Sequence, residues 1–392
     1  MQLKSRSMPQ MRFLRGISLL SASLLLGACD NPAAPVPAVK GIVTVSATGA
    51  PVAGAKVSIG EISVTTGSDG KFEITGVVAG PAKIRGTATG FESFEADITV
   101  PDGPATQNIS LKRTELFEFT DFAVYVPASV VQVRGVLVTL GGPDTRGFAS
   151  GGVFGAPMPA VETALQTFGV RLRAMAATKG LAIIGTSQAS LSNDAGSDAV
   201  ILQAVQQAAT LSGREDLKTA PYFLYGLSGG GPEASGFTVR NAGRVAGLFL
   251  KAPLSVEAIS AGPALGIPTY VVLEQLDVFV DNVALTAAYR ANRAAGAPWA
   301  LALELGSPHH SLSPQQSDLT AHWMDTILGM RLGNVAGDAL RAISESSGWV
   351  GDASATQVLG WSSYSGNPRS ASWFPSQGTA EEWLSFIKLG SP

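Results

Sequence analysis

The chain has 392 residues, 45% hydrophobic and 15% charged, which excludes a disordered polymer and leaves room for two domains or three, each with a sizeable core. Its 27 basic and 30 acidic residues give a net charge of −3 with no basic stripe, which argues against nucleic acid as a partner. Forty-five glycines and 23 prolines read as many turns rather than as low complexity.

Lys4, Arg6, Arg12 and Arg15 precede an apolar run over 17–26, with no acid among the first 28 residues. A basic start followed by a short apolar stretch is the pattern of a secretory signal, and the run is too short to span a bilayer as a mature helix. Removal of those four cations takes the net charge to about −7. The run ends in Leu26-Gly27-Ala28-Cys29, which resembles the bacterial lipobox. That resemblance implies acylation of Cys29, which becomes the mature N-terminus and a membrane anchor. Cys29 is the only cysteine, so it makes no disulfide within the chain. Each buried acyl CH₂ contributes about 0.8 kcal/mol, so more than one chain gives stable anchoring. The expectation is a signal over 1–28 and a Pro/Ala tether over 29–37. The protein is then exported to the bacterial cell envelope and lipid-anchored on the periplasmic or outer face.

Residues 38–113 have an all-β pattern. Short strand-like runs over 41–45, 55–59, 71–74 and 95–100 are separated by glycine and Asp-Gly turns, the spacing of a small sandwich. Gly49-Ala50-Pro51-Val52-Ala53-Gly54-Ala55, then Ser68-Asp69-Gly70-Lys71-Phe72, then Gly90-Phe91, resemble the carboxypeptidase regulatory-like domain, a transthyretin-like sandwich. No titratable cluster marks a site there. A spacer role and glycan or partner binding both remain open.

From about residue 117, and over 114–392 as a unit, strands and helices alternate, which predicts an α/β fold with a mainly parallel sheet covered by helices on both faces. Strands are expected over 121–126, 135–140, 181–185, 222–225, 245–250, 269–273 and 299–305. Helices are expected over 159–178, 197–211, 282–295 and 318–332.

The fourth of these strands runs into Gly226-Leu227-Ser228-Gly229-Gly230, a Gly-x-Ser-x-Gly between a strand and a helix. Such a turn needs small residues on either side of the serine, lifts its Oγ clear of the sheet, and aims the N–H groups of the next helix at the same space. A serine hydroxyl attacks a carbonyl only when a base takes its proton, and the chain has three histidines. His309 and His310 follow the last strand, whereas His322 shares a helical stretch with Trp323 and is expected to be half-buried packing. An acid is required after the preceding strand, where Glu274, Asp277 and Asp281 are available. Asp277 follows the strand by a few residues, Asp281 suits a helix cap, and Glu274 suits strand-end packing or the acid's role. The oxyanion of an acyl-transfer intermediate needs two N–H donors. Gly229 offers one, and the loop Leu140-Gly141-Gly142-Pro143-Asp144 offers the other at Gly141 or Gly142, with Asp144 read as a turn residue.

This order over about 117–310 resembles the α/β-hydrolase family. The pieces that carry it are the Gly-x-Ser-x-Gly elbow, Leu276-Asp277-Val278, and the Gly-x-x-His of Gly306 to His309. The resemblance implies Ser228 as nucleophile, Asp277 as acid and His309 as base. Relatives that read Gly-His-Ser-Leu would select His310 instead. The broadest likeness within the family is to secreted esterases of the polyester-depolymerase and feruloyl-esterase type.

Five of the six tryptophans follow His310: Trp323, Trp349, Trp361, Trp373 and Trp383. They fit either aromatic packing that closes a sheet edge or the lining of an acyl or alcohol pocket, and a short amphipathic helix is expected over 379–387. No phosphate loop and no Cys/His cluster is present, so neither cofactor nor metal is expected. The reading is a lipid-anchored serine hydrolase of carboxylic esters, small or polymeric. Its alternatives are a non-catalytic ligand-binding lipoprotein on the same fold and a peptidase or amidase with the same triad.

Overall fold

The computed structural model describes residues 36–141, 144–152, 154, 159–187, 192–259, 261–354 and 356–388. The signal segment, Cys29 and Gly142 lie outside the described residues.

The N-terminal unit is a β-sandwich. Its strands are β1 (Ala38–Val45), β2 (Lys56–Ile59), β3 (Ile62–Thr65), β4 (Lys71–Thr75), β5 (Gly80–Thr87), β6 (Phe94–Val100), β7 (Pro104–Thr106) and β8 (Ile109–Leu111). One sheet has the order β4-β1-β7 with β8 also on β1, and the other has the order β3-β2-β5-β6. Phe72 and Ile74 of β4 alternate inward between exposed neighbours, as a strand with one wet face requires. They meet Val39, Val43, Val57, Ile84 and Leu111 in a core of their own. Four of these strands lie beyond those expected from sequence. β3 has no buried residue, β5 opens on Gly-Pro and buries only Ile84 and Gly86, and β7 and β8 span three residues each, so each gives a weak apolar signal. At the junction, Gly90 has φ +80, and a Cβ there would stand 2.2 Å from the Ser212 carbonyl oxygen. Glycine therefore lets the sandwich backbone touch the second unit directly.

The second unit is built on an eight-stranded sheet of order β16-β15-β14-β13-β11-β12-β10-β9. Its members are β9 (Leu116–Glu118), β10 (Phe122–Tyr125), β11 (Gly135–Gly141), β12 (Leu181–Thr186), β13 (Tyr222–Leu227), β14 (Val245–Lys251), β15 (Thr269–Glu274) and β16 (Trp299–Glu304). The pairs from β12 through β11 to β16 are parallel, while β10 runs antiparallel to β12 and β9. Strands β11 to β15 are buried at every residue, which is why they read as unbroken apolar runs rather than as alternation.

Among the described residues seven helices accompany this sheet: α1 (Arg146–Ser150), α2 (Pro159–Lys179), α3 (Ala195–Ser212), α4 (Gly230–Arg240), α5 (Asn282–Ala295), α6 (Pro314–Arg331) and α7 (Gln377–Lys388). One face of the sheet packs on α2, α6 and α7 through Phe168, Leu172, Trp323 and Trp383. The other packs on α3, α4 and α5 through Ile201, Phe237 and Leu285. The result is an α/β-hydrolase-like sheet with helices on both faces. α6 starts four residues before its expected position, because Ser313 caps it by accepting Gln316 N–H at 3.1 Å and Pro314 takes the first turn.

The C-terminal stretch adds a small antiparallel sheet of β17 (Trp349–Gly351), β18 (Leu359–Gly360) and β19 (Ser372–Phe374). It covers the free edge of β16: Ser372 Oγ accepts Leu301 N–H at 3.1 Å, and Trp383 Nε1 donates to the Leu301 carbonyl at 2.8 Å. Edge groups that would otherwise stay unpaired are satisfied in this way. Trp323, Trp373 and Trp383 are buried in the core, and Trp349 and Trp361 pack against it. Trp349, Trp373 and Trp383 thus belong to the elements that cover the β16 edge, whereas Trp323 packs on the face of the sheet against Phe223, Phe249 and Tyr270. His322 is exposed rather than half-buried, with Nδ1 2.8 Å from Glu382 on α7. A helix surface position one residue from a buried tryptophan faces water, which accounts for the difference. Among the described residues no helix is long and apolar enough to cross a membrane.

Candidate active site

β11 is the switch point of the sheet, since β12 lies on one side of it and β13 on the other. Crevices at the carboxyl ends of strands around such a point are where open α/β sheets take ligands. Ser228 stands there, directly after β13, with φ 53. An L-residue in this left-handed conformation pays about 1–2 kcal/mol, and such strain persists only where the surroundings fix it. They do so here. Ser228 N–H donates to the Lys251 carbonyl at 2.9 Å, and the Ser228 carbonyl accepts from Gly231 at 3.0 Å and Leu254 at 3.2 Å. A Cβ on Gly226 would lie 2.9 Å from the Gly230 carbonyl oxygen, and one on Gly230 would lie 2.2 Å from the Leu140 carbonyl carbon and 2.4 Å from Gly141 N. Both flanking residues must be small, and the end of β11 abuts the first turn of α4.

Among the described residues, the non-glycine positions with positive φ are Ser228, Ala252 and His310. Each comes just after a sheet strand or in the loop that follows it, at β13, β14 and β16. Backbone strain is thus gathered at one rim of the sheet.

The Ser228 hydroxyl lies 2.8 Å from His309 Nε2, and His309 Nδ1 lies 2.5 Å from Asp277 Oδ2. Asp277 is held by its own turn: Oδ1 accepts Phe279 N–H at 2.8 Å and Val280 N–H at 3.3 Å. This leaves Oδ2 for the imidazole. The Phe279 ring packs on the other side of His309, 5.0 Å between centroids. The acid and histidine loops are also joined to each other. Leu276 N–H donates to the Ser307 carbonyl at 2.9 Å, and Gly306 N–H donates to Gln275 Oε1 at 2.8 Å.

The remaining candidates have other surroundings. His310 stacks on His309 at 4.1 Å between centroids, and its Nε2 is buried with no hydrogen-bond partner among the described residues. Burial, then the neighbouring His309 and Lys251, push its pKa down to about 4, so the ring is neutral at pH 7. Asp281 caps α5, accepting Val283 N–H at 3.0 Å and Ala284 N–H at 2.9 Å. Asp144 forms a short turn, accepting Arg146 N–H at 2.9 Å and pairing with its guanidinium.

Glu274 is fully buried at the end of β15. It is ion-paired with Lys251, accepts His310 N–H at 3.0 Å through Oε2, and lies 3.8 Å from His309 Nδ1. Lys251 escaped the sequence analysis. A lysine ending the otherwise apolar β14 was the available signal, because a charge is not buried there without a partner. Glu274, Asp277 and His309 form the one group among the described residues whose potential metal-ligating atoms lie within 4.8 Å of one another. Lys251 already supplies the cation to Glu274, and the imidazole and Asp277 are bonded to each other.

Residues 38–112 match the family of the carboxypeptidase regulatory-like domain. The second unit is distantly similar in structure to esterases. A carboxylesterase from Mesorhizobium loti aligns at 15% identity and a TM-score of 0.37, covering 54% of this chain and 99% of that one. A thermostable esterase aligns at 11% identity and a TM-score of 0.39, covering 74% and 98%. The sandwich aligns with a chain from a cohesin–X-dockerin complex of Acetivibrio cellulolyticus at 24% identity and a TM-score of 0.18. That match covers 20% of this chain, and this chain spans 59% of that one. No curated protein sequence matches the chain.

Proposed function

We propose that the protein is a serine hydrolase of carboxylic esters, with Ser228 as nucleophile, His309 as general base and acid, and Asp277 as the imidazole's partner. The observation that carries this reading is the continuous line Ser228 Oγ, His309 Nε2, His309 Nδ1, Asp277 Oδ2, with separations of 2.8 Å and 2.5 Å at its two hydrogen bonds. Such contact converts an inert hydroxyl into a nucleophile, because its proton has a place to go as the oxygen attacks.

In the first half-reaction Ser228 Oγ bonds to the ester carbonyl carbon while its proton moves to His309 Nε2. Asp277 holds the Nδ1–H tautomer and stabilises the imidazolium. The carbonyl oxygen becomes an oxyanion, for which the N–H of Gly229, first past the nucleophile, and those of Gly141 and Gly142 are the donors in this reading. Collapse of the intermediate breaks the bond to the leaving alkoxide, which takes the proton from Nε2. A water molecule then repeats the steps in reverse, returning Ser228 and releasing the acid. His310, neutral at pH 7, neither competes for the serine proton nor adds charge beside the imidazolium.

Leu254, Leu276, Val278, Phe279 and Val283 are exposed apolar side chains on the segments that follow β14 and β15. They favour an ester with an apolar acyl or alcohol group. Export and membrane anchoring through acylated Cys29 belong to the same proposal. Turnover of p-nitrophenyl acetate by wild type, lost in Ser228→Ala and in His309→Ala with the fold retained, is the expected result. Equal turnover in Ser228→Ala would sink the reading.

A further inference from the structure

Below the line of Ser228, His309 and Asp277 lies a second set of charges that the proposed chemistry does not use. Lys251 ends β14 and Glu274 ends β15, and their side chains are 1% and 0% exposed. The Lys251 carbonyl accepts the Ser228 N–H at 2.9 Å, and its ammonium is ion-paired with Glu274 Oε1. The other carboxylate oxygen of Glu274 accepts His310 N–H at 3.0 Å. One uninterrupted path of three bonds therefore joins the nucleophile's backbone to that of the histidine loop.

We infer that the buried Lys251–Glu274 pair is the positioning element that holds the histidine loop in register with Ser228. We further infer that the Glu274 carboxylate, 3.8 Å from His309 Nδ1, acts as a second anion toward the imidazolium. The inference rests on the Ser-His-Asp reading above.

Stability alone does not explain the pair, because well-packed apolar side chains in its place would serve as well or better. What they cannot supply is an acceptor for His310 N–H. His310 has φ 66, and its N–H donates to Glu274 Oε2 rather than to a backbone carbonyl. Without Glu274 that part-buried donor would lose its partner, and the residue beside it is the one that must meet the serine hydroxyl. Burial leaves the Glu274 pKa raised above the ordinary carboxylate value although Lys251 opposes the shift, so the carboxylate's charge depends on its lysine. Glu304 Oε2, 3.8 Å from the same ammonium, is a further anion behind it. The groups facing His309 are thus Asp277, Glu274 with Lys251 behind it, the neutral ring of His310, and the apolar Phe279.

The test measures wild type, Glu274→Ala and Glu274→Gln on p-nitrophenyl acetate from about pH 5 to pH 9. Rates are normalised to sites titrated by a fluorophosphonate, and folding is followed by circular dichroism. Glu274→Ala should lower kcat about 100-fold with KM within about twofold, since a slightly displaced base costs the chemical step and not binding. Glu274→Gln keeps an acceptor for His310 N–H and should recover about tenfold of that loss. Its acid limb should move down by about one pH unit, because the imidazolium has lost an anion. A carboxylate that merely filled space would move neither the limb nor the split between kcat and KM. Should Glu274→Ala fail to fold, Glu274→Gln decides alone: an unmoved limb with kcat within about twofold of wild type overturns the inference. A folded wild type that neither turns over ester nor takes the label overturns the triad reading, and this inference with it.

Discussion

Replacing Ser228 by glycine and by alanine separates the strain of the elbow from its chemistry. Both variants lose the hydroxyl and its bond to His309, so their difference isolates the backbone. At φ 53, alanine retains the penalty of about 1–2 kcal/mol that an L-residue pays in the left-handed region. Glycine avoids it but brings back roughly 0.5–1 kcal/mol through its freer unfolded chain. Ser228→Gly is therefore expected to be more stable than Ser228→Ala by up to about 1.5 kcal/mol, with a midpoint of about 0.75 kcal/mol, or about 2–3 °C in Tm for a unit of this size. Urea and thermal unfolding of the two proteins side by side give the number. A glycine variant equal to or less stable than the alanine variant would refute the argument that this turn stores strain.

Other outcomes follow from the same geometry. His310 has its pKa pushed down to about 4 by burial, so the unfolded chain binds a proton there that the folded chain does not. Its contribution is present above the ordinary value of 6.5 and is lost as pH falls from 6.5 to 4, by no more than about 2 kcal/mol given the ring's partial exposure. His310→Asn, which tolerates the left-handed backbone, should flatten that part of the pH–stability curve, and an unchanged slope would contradict the burial argument. Val278 and Val283 are 86% and 82% exposed beside the acid loop. Converting both to serine should raise KM for long-chain p-nitrophenyl esters about five- to tenfold and leave the acetate ester unaffected; equal effects on both would remove the apolar rim from substrate binding. Metabolic labelling with palmitate should tag the wild-type chain and not Cys29→Ala, and an unlabelled wild type would sink the anchor.

Seven of the sheet's eight strands were legible, the central β11 to β15 because they are buried at every residue and read as apolar runs bounded by glycine, proline or polar turns. The edge strand β9 spans three residues, of which one is buried, and was not expected. The expected strand over 222–225 stopped two residues short of Leu227, since Gly226 is poor strand material until Ala234 and Leu250 are seen packed against it. The sandwich was less legible: Lys83 and Arg85 of β5 face Asp97 and Glu95 of β6 on the wet side, and β5 offers only Ala82, Ile84 and Gly86 on the other, a weak apolar signal beside its opening Gly-Pro. Ser228, an acid among Glu274, Asp277 and Asp281, and a base among His309 and His310 could be proposed from chain order, because a parallel sheet delivers successive strand ends to one side. The choice between two adjacent histidines could not. It depends on which ring lies between Ser228 and Asp277, and that is His309. Lys251 gave only the signal of a charge ending an apolar strand, and its partner was not legible, since Glu274 lies on the next strand, 23 residues further along the chain.

Mass-spectrometric mapping of a fluorophosphonate adduct on the folded protein tests the central claim most directly. A single adduct on Ser228, absent from His309→Ala and retained by His310→Asn, is the predicted result. A folded wild-type chain that carries no adduct at Ser228 would contradict the account.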